Sequence, residues 1–237
     1  MKYAISLIAV FAGGIAQGIV GFGFSLVSVP VQILLFGADV GVRLTNELAS
    51  VVNVVMLTKE RAHIRWRSAV QLLIPGLFVT PLAAWLAHKW SPTILGAVAG
   101  SVTVVCVIIL AKGYRAKRLR GRGGAIAAGA VSATMNTLAA VGGPAVAMYA
   151  VNSEWPVDEM RATFQVLFVA QNVLAVIARG AYGITWWFGL ALASCIITGT
   201  LIGRAIADKL PEHAVRRGVL VVAGAGGVAA LVKALVG

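Results

Sequence analysis

Ten apolar segments, separated by short polar stretches, fill almost all of this 237-residue chain. Apolar side chains make up 59% of the residues, whereas soluble domains reach about 45–50% even when glycine is included. A soluble domain of this size has too much surface to bury so many apolar groups. A membrane-spanning helix needs about 20 residues, so about eight spans use the whole chain. The sequence therefore predicts an all-α polytopic integral membrane protein with no soluble catalytic domain.

Two of the ten segments are too short to cross a bilayer as one straight helix, and each follows a cluster of glycines. One contains Pro30 and the other begins at Pro144. We expect about eight transmembrane helices, within a range of roughly seven to ten that depends on how the short segments are counted. The ten segments cover residues 3–20, 24–37, 41–58, 68–87, 93–111, 125–141, 144–151, 160–178, 186–206 and 218–235.

The order of the segments repeats along the chain. An Arg-x-Thr sequence begins at Arg43 and recurs at Arg161, 118 residues later, and Asn53 is matched by Gln171 at the same offset. Each half also has its short, glycine-broken segment in the same position. The sequence therefore predicts two homologous halves. The predicted division is a first half at residues 1–111, a basic linker at 112–124 and a second half at 125–237.

The basic residues are concentrated in loops, which orients the chain in the membrane. The chain has 20 lysines and arginines against 8 acidic residues, a net charge of +12. Short cytoplasmic loops collect basic residues under the positive-inside rule, so the charge indicates membrane topology and no nucleic-acid partner. Ten of the 20 lie in two loops: Lys59, Arg61, Arg65, Arg67, Lys112, Arg115, Lys117, Arg118, Arg120 and Arg122.

The relative direction of the two halves depends on the loop at residues 204–217. If this loop is cytoplasmic, the halves are inverted and the short segments cross or nearly cross the membrane. If the halves are parallel, the short segments are re-entrant and the basic residues of this loop lie outside. We favour inverted halves, because that arrangement keeps Arg204, Lys209, Arg216 and Arg217 on the cytoplasmic side.

No sequence pattern for catalysis, metal binding or cofactor binding is present. The chain has no phosphate-binding loop, paired-histidine helix or nucleophile elbow, so we predict no enzyme activity and no cofactor. Cys106 and Cys195 lie in apolar runs, which is typical of buried small hydrophobes; a reactive transport thiol is the alternative. The apolar run after Lys2 lacks a signal-peptide cleavage site, so we expect a first span that is retained.

Glycine-rich breaks precede both short segments, at Gly21 and Gly23 in the first half and at Gly142 and Gly143 in the second. Broken helices in matching positions of two halves indicate a transporter's substrate site, because freed backbone groups are tolerated in a membrane only where they line a cavity. A half-helix that starts at such a break has its positive end there and favours an anion. The alternative for either cluster alone is tight helix packing.

Polar side chains near the breaks are the candidate substrate contacts. Amides within the spans either bind the ligand or form interhelical hydrogen bonds. Arg43 and Arg161 begin equivalent helices, where they either bind an oxyanion or extend to the interface. Pairing with Asp39 and Asp158 is a further alternative for them. The candidate substrate-binding residues are Gln17, Gly21, Gly23, Ser25, Asn53, Asn136, Thr137, Gly142, Gly143, Gln171, Asn172, Arg43 and Arg161.

No acidic residue is predicted in the middle of a span. Cation and proton carriers usually have an intramembrane carboxylate, and an anion carrier does not need one. The acidic residues therefore favour an anion as the substrate. All eight are predicted in loops or near segment ends: Asp39, Glu47, Glu60, Glu154, Asp158, Glu159, Asp208 and Glu212.

Several of these features resemble the TauE/SafE sulfite-exporter family over essentially the whole chain. They are the glycine-rich break that runs into a proline in each half, the Arg-x-Thr helix start and an Ile-x-Trp element at Ile64. The resemblance implies a multi-pass permease of the bacterial inner membrane for sulfite, sulfoacetate or another organosulfonate anion.

These features predict a permease that exports or exchanges a small sulfur oxyanion or organosulfonate by alternating access. An anion channel and a permease for a non-sulfur carboxylate or oxyanion are the alternatives. An intramembrane enzyme or assembly factor that handles a sulfur or metal species is a more distant alternative, which would depend on the two cysteines. Small-residue pairs such as Gly96 and Gly100 permit a homodimer.

Overall fold

The computed structural model describes residues 1–112, 120–209 and 212–236, which are helical apart from short connections. Most of the predicted basic linker, residues 113–119, lies outside the described residues. Single 3₁₀ turns follow α3 and α9, at Arg61–His63 and Ala207–Lys209. The α-helices are α1 (Lys2–Val20), α2 (Phe24–Phe36), α3 (Ala38–Glu60), α4 (Trp66–Lys89), α5 (Pro92–Lys112), α6 (Gly121–Ala139), α7 (Gly143–Asn152), α8 (Val157–Arg179), α9 (Trp186–Ile206) and α10 (Glu212–Val236).

The predicted all-α polytopic fold is confirmed, since a helix forms at each of the ten apolar segments. Among the described residues, seven helices are long and apolar enough to cross a membrane, namely α1, α3, α4, α5, α8, α9 and α10. This number lies within the predicted range. As expected, α2 and α7 are short, with 13 and 10 residues. Helix α6 has 19 residues but is not among these seven; it is rich in glycine and alanine.

The first short helix folds back along the helix before it, so that α1 and α2 form a hairpin. At its open end, the rings of Tyr3 and Phe36 lie 6.4 Å apart. The hairpin turns at residues 21–23, which we call the first break. Gly21 and Gly23 have φ values of +84° and +140° there, which only glycine adopts without strain. The glycines therefore serve the turn itself.

The second short helix makes an equivalent hairpin with α6. At its open end, the Tyr149 hydroxyl donates a hydrogen bond to the carbonyl of Gly121 (3.4 Å). The turn lies at residues 140–142, which we call the second break. Ala140 has a φ of +53° and closes the end of α6 through its N–H, which donates to the carbonyl of Asn136 (2.8 Å). Both glycine-rich stretches are thus tips of helical hairpins.

Helices α3 and α8 lie at the centre of the bundle, next to both hairpins. On the α3 side, Val52 is buried in an apolar cluster with Val10 of α1 and Ile196 of α9. On the α8 side, Leu167 is buried in a second cluster with Leu72 of α4. Each central helix is therefore held by an apolar cluster that it shares with outer helices.

Two of the closest helix pairs each join one of the first five helices to one of the last five. Helix α1 packs parallel to α9, and α6 packs parallel to α4. Both pairs depend on glycine: a Cβ atom on Gly18 would lie 2.3 Å from the carbonyl oxygen of Thr200, and one on Gly129 would lie 2.0 Å from that of Leu72. Two homologous halves packed against each other would produce such pairs. The pairs therefore support the division of the chain into two halves, which stays a prediction.

Helices in matching positions of the two predicted halves are antiparallel in two pairs, α3 with α8 and α5 with α10. Asp39 near the start of α3 pairs with Arg179 at the end of α8, and Arg65 just after α3 pairs with Glu159 at the start of α8. Helices α5 and α10 are also antiparallel, with Gly96 next to Ala234 and Gly224 next to Val107. Inverted halves require these directions, and the inversion stays a prediction.

The α4–α6 contact makes a specific prediction for glycine substitutions. In Gly129→Ala, the new methyl group collides with the Leu72 carbonyl, and only a separation of the two backbones relieves the clash. We expect a loss of at least about 2 kcal/mol in unfolding free energy. Gly123→Ala is the matched control, because Gly123 lies in the same helix with no atom within 4 Å of its Cβ position, and the change stabilises by up to about 1 kcal/mol. Equal thermal unfolding of the two variants in detergent would refute the packing.

Candidate functional site

The two breaks line one cavity in the interior of the bundle. Its walls come from the first break and the start of α2, from the second break and the start of α7, and from α3 and α8. Its volume is about 40 Å³. One buried water needs about 10–15 Å³ of such space, so the cavity has room for a few waters or one small polyatomic anion.

A chain of amide groups surrounds the first break. Gln17 Nε2 donates to Asn53 Oδ1 (3.0 Å) and to the carbonyl of Gly21 (3.2 Å), while Gln17 Oε1 accepts from the N–H of Phe24 (3.2 Å). Gln165 on α8 donates through Nε2 to the same Gly21 carbonyl (2.9 Å). The backbone groups freed by the break are thus satisfied by buried side chains of α1 and α8, as a membrane interior requires.

A second amide group surrounds the other break. Asn136 Nδ2 donates to Asn172 Oδ1 on α8 (2.8 Å), and Asn46 Nδ2 on α3 donates to the carbonyl of Asn136 (3.2 Å). The Arg179 guanidinium closes the end of α6 by donating to the carbonyl of Thr137 (2.8 Å). A cation at this position is favourable, because the carbonyl end of a helix carries partial negative charge.

The two amide groups correspond to each other at a constant offset of 119 residues. In the first predicted half, Gln17 near the end of α1 bonds Asn53 on α3, and Gln165 on α8 bonds the Gly21 carbonyl just after α1. In the second, Asn136 near the end of α6 bonds Asn172 on α8, and Asn46 on α3 bonds the Asn136 carbonyl. The contacts match Asn53 with Asn172 rather than with Gln171. The three corresponding pairs are Gln17 with Asn136, Asn46 with Gln165, and Asn53 with Asn172.

Two of these amides keep a free donor at the cavity. Asn53 and Asn172 are buried, with 3% and 2% of their surface exposed, and both line the cavity. Each Oδ1 accepts a hydrogen bond from the neighbouring amide, whereas neither Nδ2 has a partner within the described part of the chain. Helices α3 and α8 therefore each present one unused N–H₂ group to the same small space.

Backbone donors add to these side chains, because α2 and α7 both begin at the cavity. Neither helix has a side-chain cap from its N-cap residue. The first N–H groups of a helix have no partner within it, and those of Ser25, Leu26 and Gly143 belong to residues that line the cavity. The partial positive charge of a helix N-terminus therefore acts on the cavity from both hairpins.

The remaining cavity wall is apolar and uncharged. Among the described residues that line it, there is no lysine, arginine, histidine, aspartate or glutamate. Phe22 and Phe168 border the space where the hairpin tips meet: a Cβ atom on Gly143 would lie 3.4 Å from Phe22 Cδ2 and 3.8 Å from Phe168 Cζ. The site thus offers neutral N–H donors in an apolar setting, which suits a small anion better than a cation.

The comparison with protein families bears on the class of protein and not on the cavity itself. The family model for the sulfite exporter TauE/SafE matches residues 5–230, almost the whole chain. The chain belongs to the TauE/SafE family. Neither the curated proteins nor the solved structures gave a significant match. The resemblance inferred from the sequence is therefore confirmed, and membership of this family makes the chain a multi-pass membrane transporter.

Eight of the 13 predicted site residues of this TauE/SafE protein line the cavity. They come from both halves, as the paired breaks suggested. They are Gln17, Gly23, Ser25, Asn53, Asn136, Gly142, Gly143 and Asn172.

Three other predicted residues lie near the cavity without lining it. Gly21 provides the carbonyl that Gln17 and Gln165 share. The hydroxyl of Thr137 donates to the carbonyl of Ala133 (2.8 Å), so only its own carbonyl takes part in the second break. Gln171 points towards α6 instead, where its Oε1 accepts from the Ser132 hydroxyl.

The two predicted arginines also lie outside the cavity. Arg43 pairs with Asp39 (3.0 Å) and donates to the carbonyls of Gly180 and Ala181. Arg161 donates to the carbonyl of Ile19 at the end of α1 (2.9 Å), and not to Asp158. Both side chains therefore hold helix ends in place, as Arg179 does at the end of α6.

Gln165 and Asn46 are site residues that the sequence interpretation did not select. Gln165 lies in the apolar part of α8, and its sequence neighbours do not indicate which group its amide bonds. The offset of 119 residues matches Gln165 with Asn46, so the selection of either residue would have indicated the other. Sequence reasoning with an offset of 118 missed this correspondence by one residue.

The free donor at Asn172 makes a prediction for ligand binding. We expect Asn172→Leu to raise the Kd of methanesulfonate at least about tenfold, since the loss of a buried donor to a charged ligand costs about 1.5–3 kcal/mol. The neighbouring Gln171→Leu is the matched control, because it also loses one hydrogen bond to α6 but does not line the cavity. Isothermal titration calorimetry on purified protein gives both Kd values, and equal values would remove Asn172 from the site.

Proposed function

We propose that this TauE/SafE protein carries a small sulfur oxyanion or organosulfonate across the bacterial inner membrane, and that the anion binds between the two breaks. The observation that carries this proposal is the shared cavity, where two helix N-termini and the free amides of Asn53 and Asn172 converge. Such a set of neutral N–H donors resembles the helix-terminus anion sites of other proteins. The family supports the transporter class. The donors that line the cavity support an anion as the substrate.

Polar contacts join the helices at both ends of the bundle, which supports alternating access. At one end, which we call the basic end, Arg161 bonds the end of α1 and Arg204 pairs with Glu60. At the opposite end, Arg179 joins the end of α6 to Asp39. The halves would rock so that one set of contacts opens while the other stays closed.

The basic end is proposed to face the cytoplasm. Arg65, Arg120 and Arg204 all lie there, paired with acidic residues, together with the loop between α3 and α4 and the 3₁₀ turn at Ala207–Lys209. The positive-inside rule places such loops in the cytoplasm. This orientation makes the first hairpin open to the outside and the second hairpin open to the cytoplasm, as inverted halves require.

Flux into proteoliposomes tests this function. We expect uptake of sulfite and methanesulfonate that saturates with concentration and is accelerated by the same anion on the other side of the membrane, as for a carrier. Flux that rises linearly with concentration would support the anion channel. Flux of acetate with none of any sulfur anion would support the permease for a non-sulfur carboxylate. Liposomes without protein provide the background rate.

A further inference from the structure

The charge of the cavity comes from the backbone and not from side chains. Within the described chain, no ionisable group lines it. Four charged residues of the central helices have contacts outside the cavity. On α8, Arg161 bonds the Ile19 carbonyl and has no acidic partner among the described residues, and Arg179 pairs with Asp39. On α3, Arg43 also pairs with Asp39. Glu47 lies well inside α3 and not near a segment end, so the prediction was wrong for this residue; its carboxylate accepts from the backbone N–H of Tyr182 and does not line the cavity.

The positive charge that lines the cavity itself is therefore about one unit. Each helix N-terminus corresponds to about +0.5 elementary charge within its first turn, and α2 and α7 both begin at the cavity. The two free amides, Asn53 Nδ2 and Asn172 Nδ2, add directed donors without net charge. Two half charges and two neutral donors match an anion that carries one negative charge.

A second negative charge has no counterpart among the described residues that line the cavity. The remaining walls are apolar, and Phe22 and Phe168 lie at the meeting point of the hairpin tips. A charge moved from water into such surroundings without compensation is strongly disfavoured. A dianion of similar size would therefore bind at least about 100-fold more weakly than a monoanion.

We infer that the cavity selects monoanions, so that hydrogensulfite and alkanesulfonates are ligands whereas the sulfite dianion and sulfate are not. This inference rests on the proposed function, because it concerns the charge state of the anion bound in the same cavity. It has a direct consequence for sulfite, which is a mixture of monoanion and dianion near neutral pH. Only the hydrogensulfite fraction of total sulfite binds.

The test is calorimetric titration of the purified wild-type protein at several pH values on both sides of the pKa of hydrogensulfite. We expect the apparent Kd for total sulfite to rise about tenfold per pH unit above that pKa, in proportion to the loss of the monoanion. Methanesulfonate carries one negative charge over the whole pH range. It is therefore the control for any effect of pH on the protein itself. Its Kd should stay within about twofold, and sulfate should bind at least about 100-fold more weakly than methanesulfonate at every pH.

The outcomes separate this inference from the proposed function. Sulfite binding that is independent of pH, or sulfate binding as tight as methanesulfonate binding, overturns the selection of monoanions and leaves the function standing. Absence of binding by every sulfur anion overturns both. Binding of methanesulfonate that survives Gly143→Leu, a substitution that fills the cavity, also overturns the inference, because the ligand then lies elsewhere.

Discussion

Anion transport should fall at least about 100-fold in Gly143→Leu, while the protein remains folded in the membrane. Gly143 begins α7 and has no positive φ. Its Cβ position is 3.4 Å from Phe22 Cδ2 and 3.8 Å from Phe168 Cζ, which are ordinary contact distances. The backbone thus accepts a side chain, and the isobutyl group of leucine enters a cavity of only about 40 Å³. Binding is blocked without a packing defect.

The matched control for this prediction is Gly189→Leu. Gly189 lies in α9 outside the cavity, and the nearest atom to its Cβ position is Ile184 Cγ2 at 3.9 Å. Flux in proteoliposomes, normalised to monodisperse protein, should be unchanged in this variant. Gly23→Leu is a less selective test, because Gly23 has a φ of +140° that strains any side chain. Full flux in Gly143→Leu would mean that the substrate passes by another route.

The second large effect is expected on stability, at the ion pair between α3 and α8. The Arg179 side chain is 1% exposed and its Nη2 donates to Asp39 Oδ1 at 2.6 Å. Removing one partner of such a pair leaves an uncompensated buried charge. Because the Asp39 side chain is 48% exposed and partly screened by solvent, Asp39→Asn should lower the unfolding free energy by about 2 kcal/mol, less than for a fully buried pair. The carbonyl of Thr137 remains as the only other polar contact of the guanidinium in the described structure.

An exposed ion pair provides the control. Arg120 and Glu154 are 2.8 Å apart, with side chains 52% and 77% exposed, so Glu154→Gln should cost less than about 1 kcal/mol. The double variant Asp39→Asn with Arg179→Met should recover part of the loss, because it removes the buried charge together with its partner. Thermal unfolding in detergent measures all three variants. Equal shifts for Asp39→Asn and Glu154→Gln would contradict the role of burial at Arg179.

The fold was predictable from sequence because membrane helices are determined by local hydropathy and by glycine. The predicted segment at residues 24–37 forms α2 (Phe24–Phe36), and the one at residues 144–151 forms α7 (Gly143–Asn152). The breaks were predictable for the same reason, since glycine clusters interrupt the apolar runs. That both breaks line one cavity follows from packing between distant helices, and the sequence indicated it only through the repeat.

Side-chain partners were harder to predict, because they depend on the rotation of each helix. Gln171 and Asn172 are neighbours in sequence, yet Gln171 bonds Ser132 on α6 while Asn172 lines the cavity. Arg43 was a candidate ligand because it begins a helix. It bonds the Gly180 carbonyl instead, because α3 and α8 pack antiparallel. No local pattern distinguishes these outcomes.

The location of a bound anion tests the central claim most directly. Selenite is a chemical analogue of sulfite, and selenium scatters X-rays anomalously, so a crystal of the protein with hydrogenselenite would show the position of the anion. We predict one anomalous peak between the two breaks, with oxygens within hydrogen-bond distance of Asn53 Nδ2 and Asn172 Nδ2. A peak at Arg43 or Arg161 with the cavity empty would contradict the account.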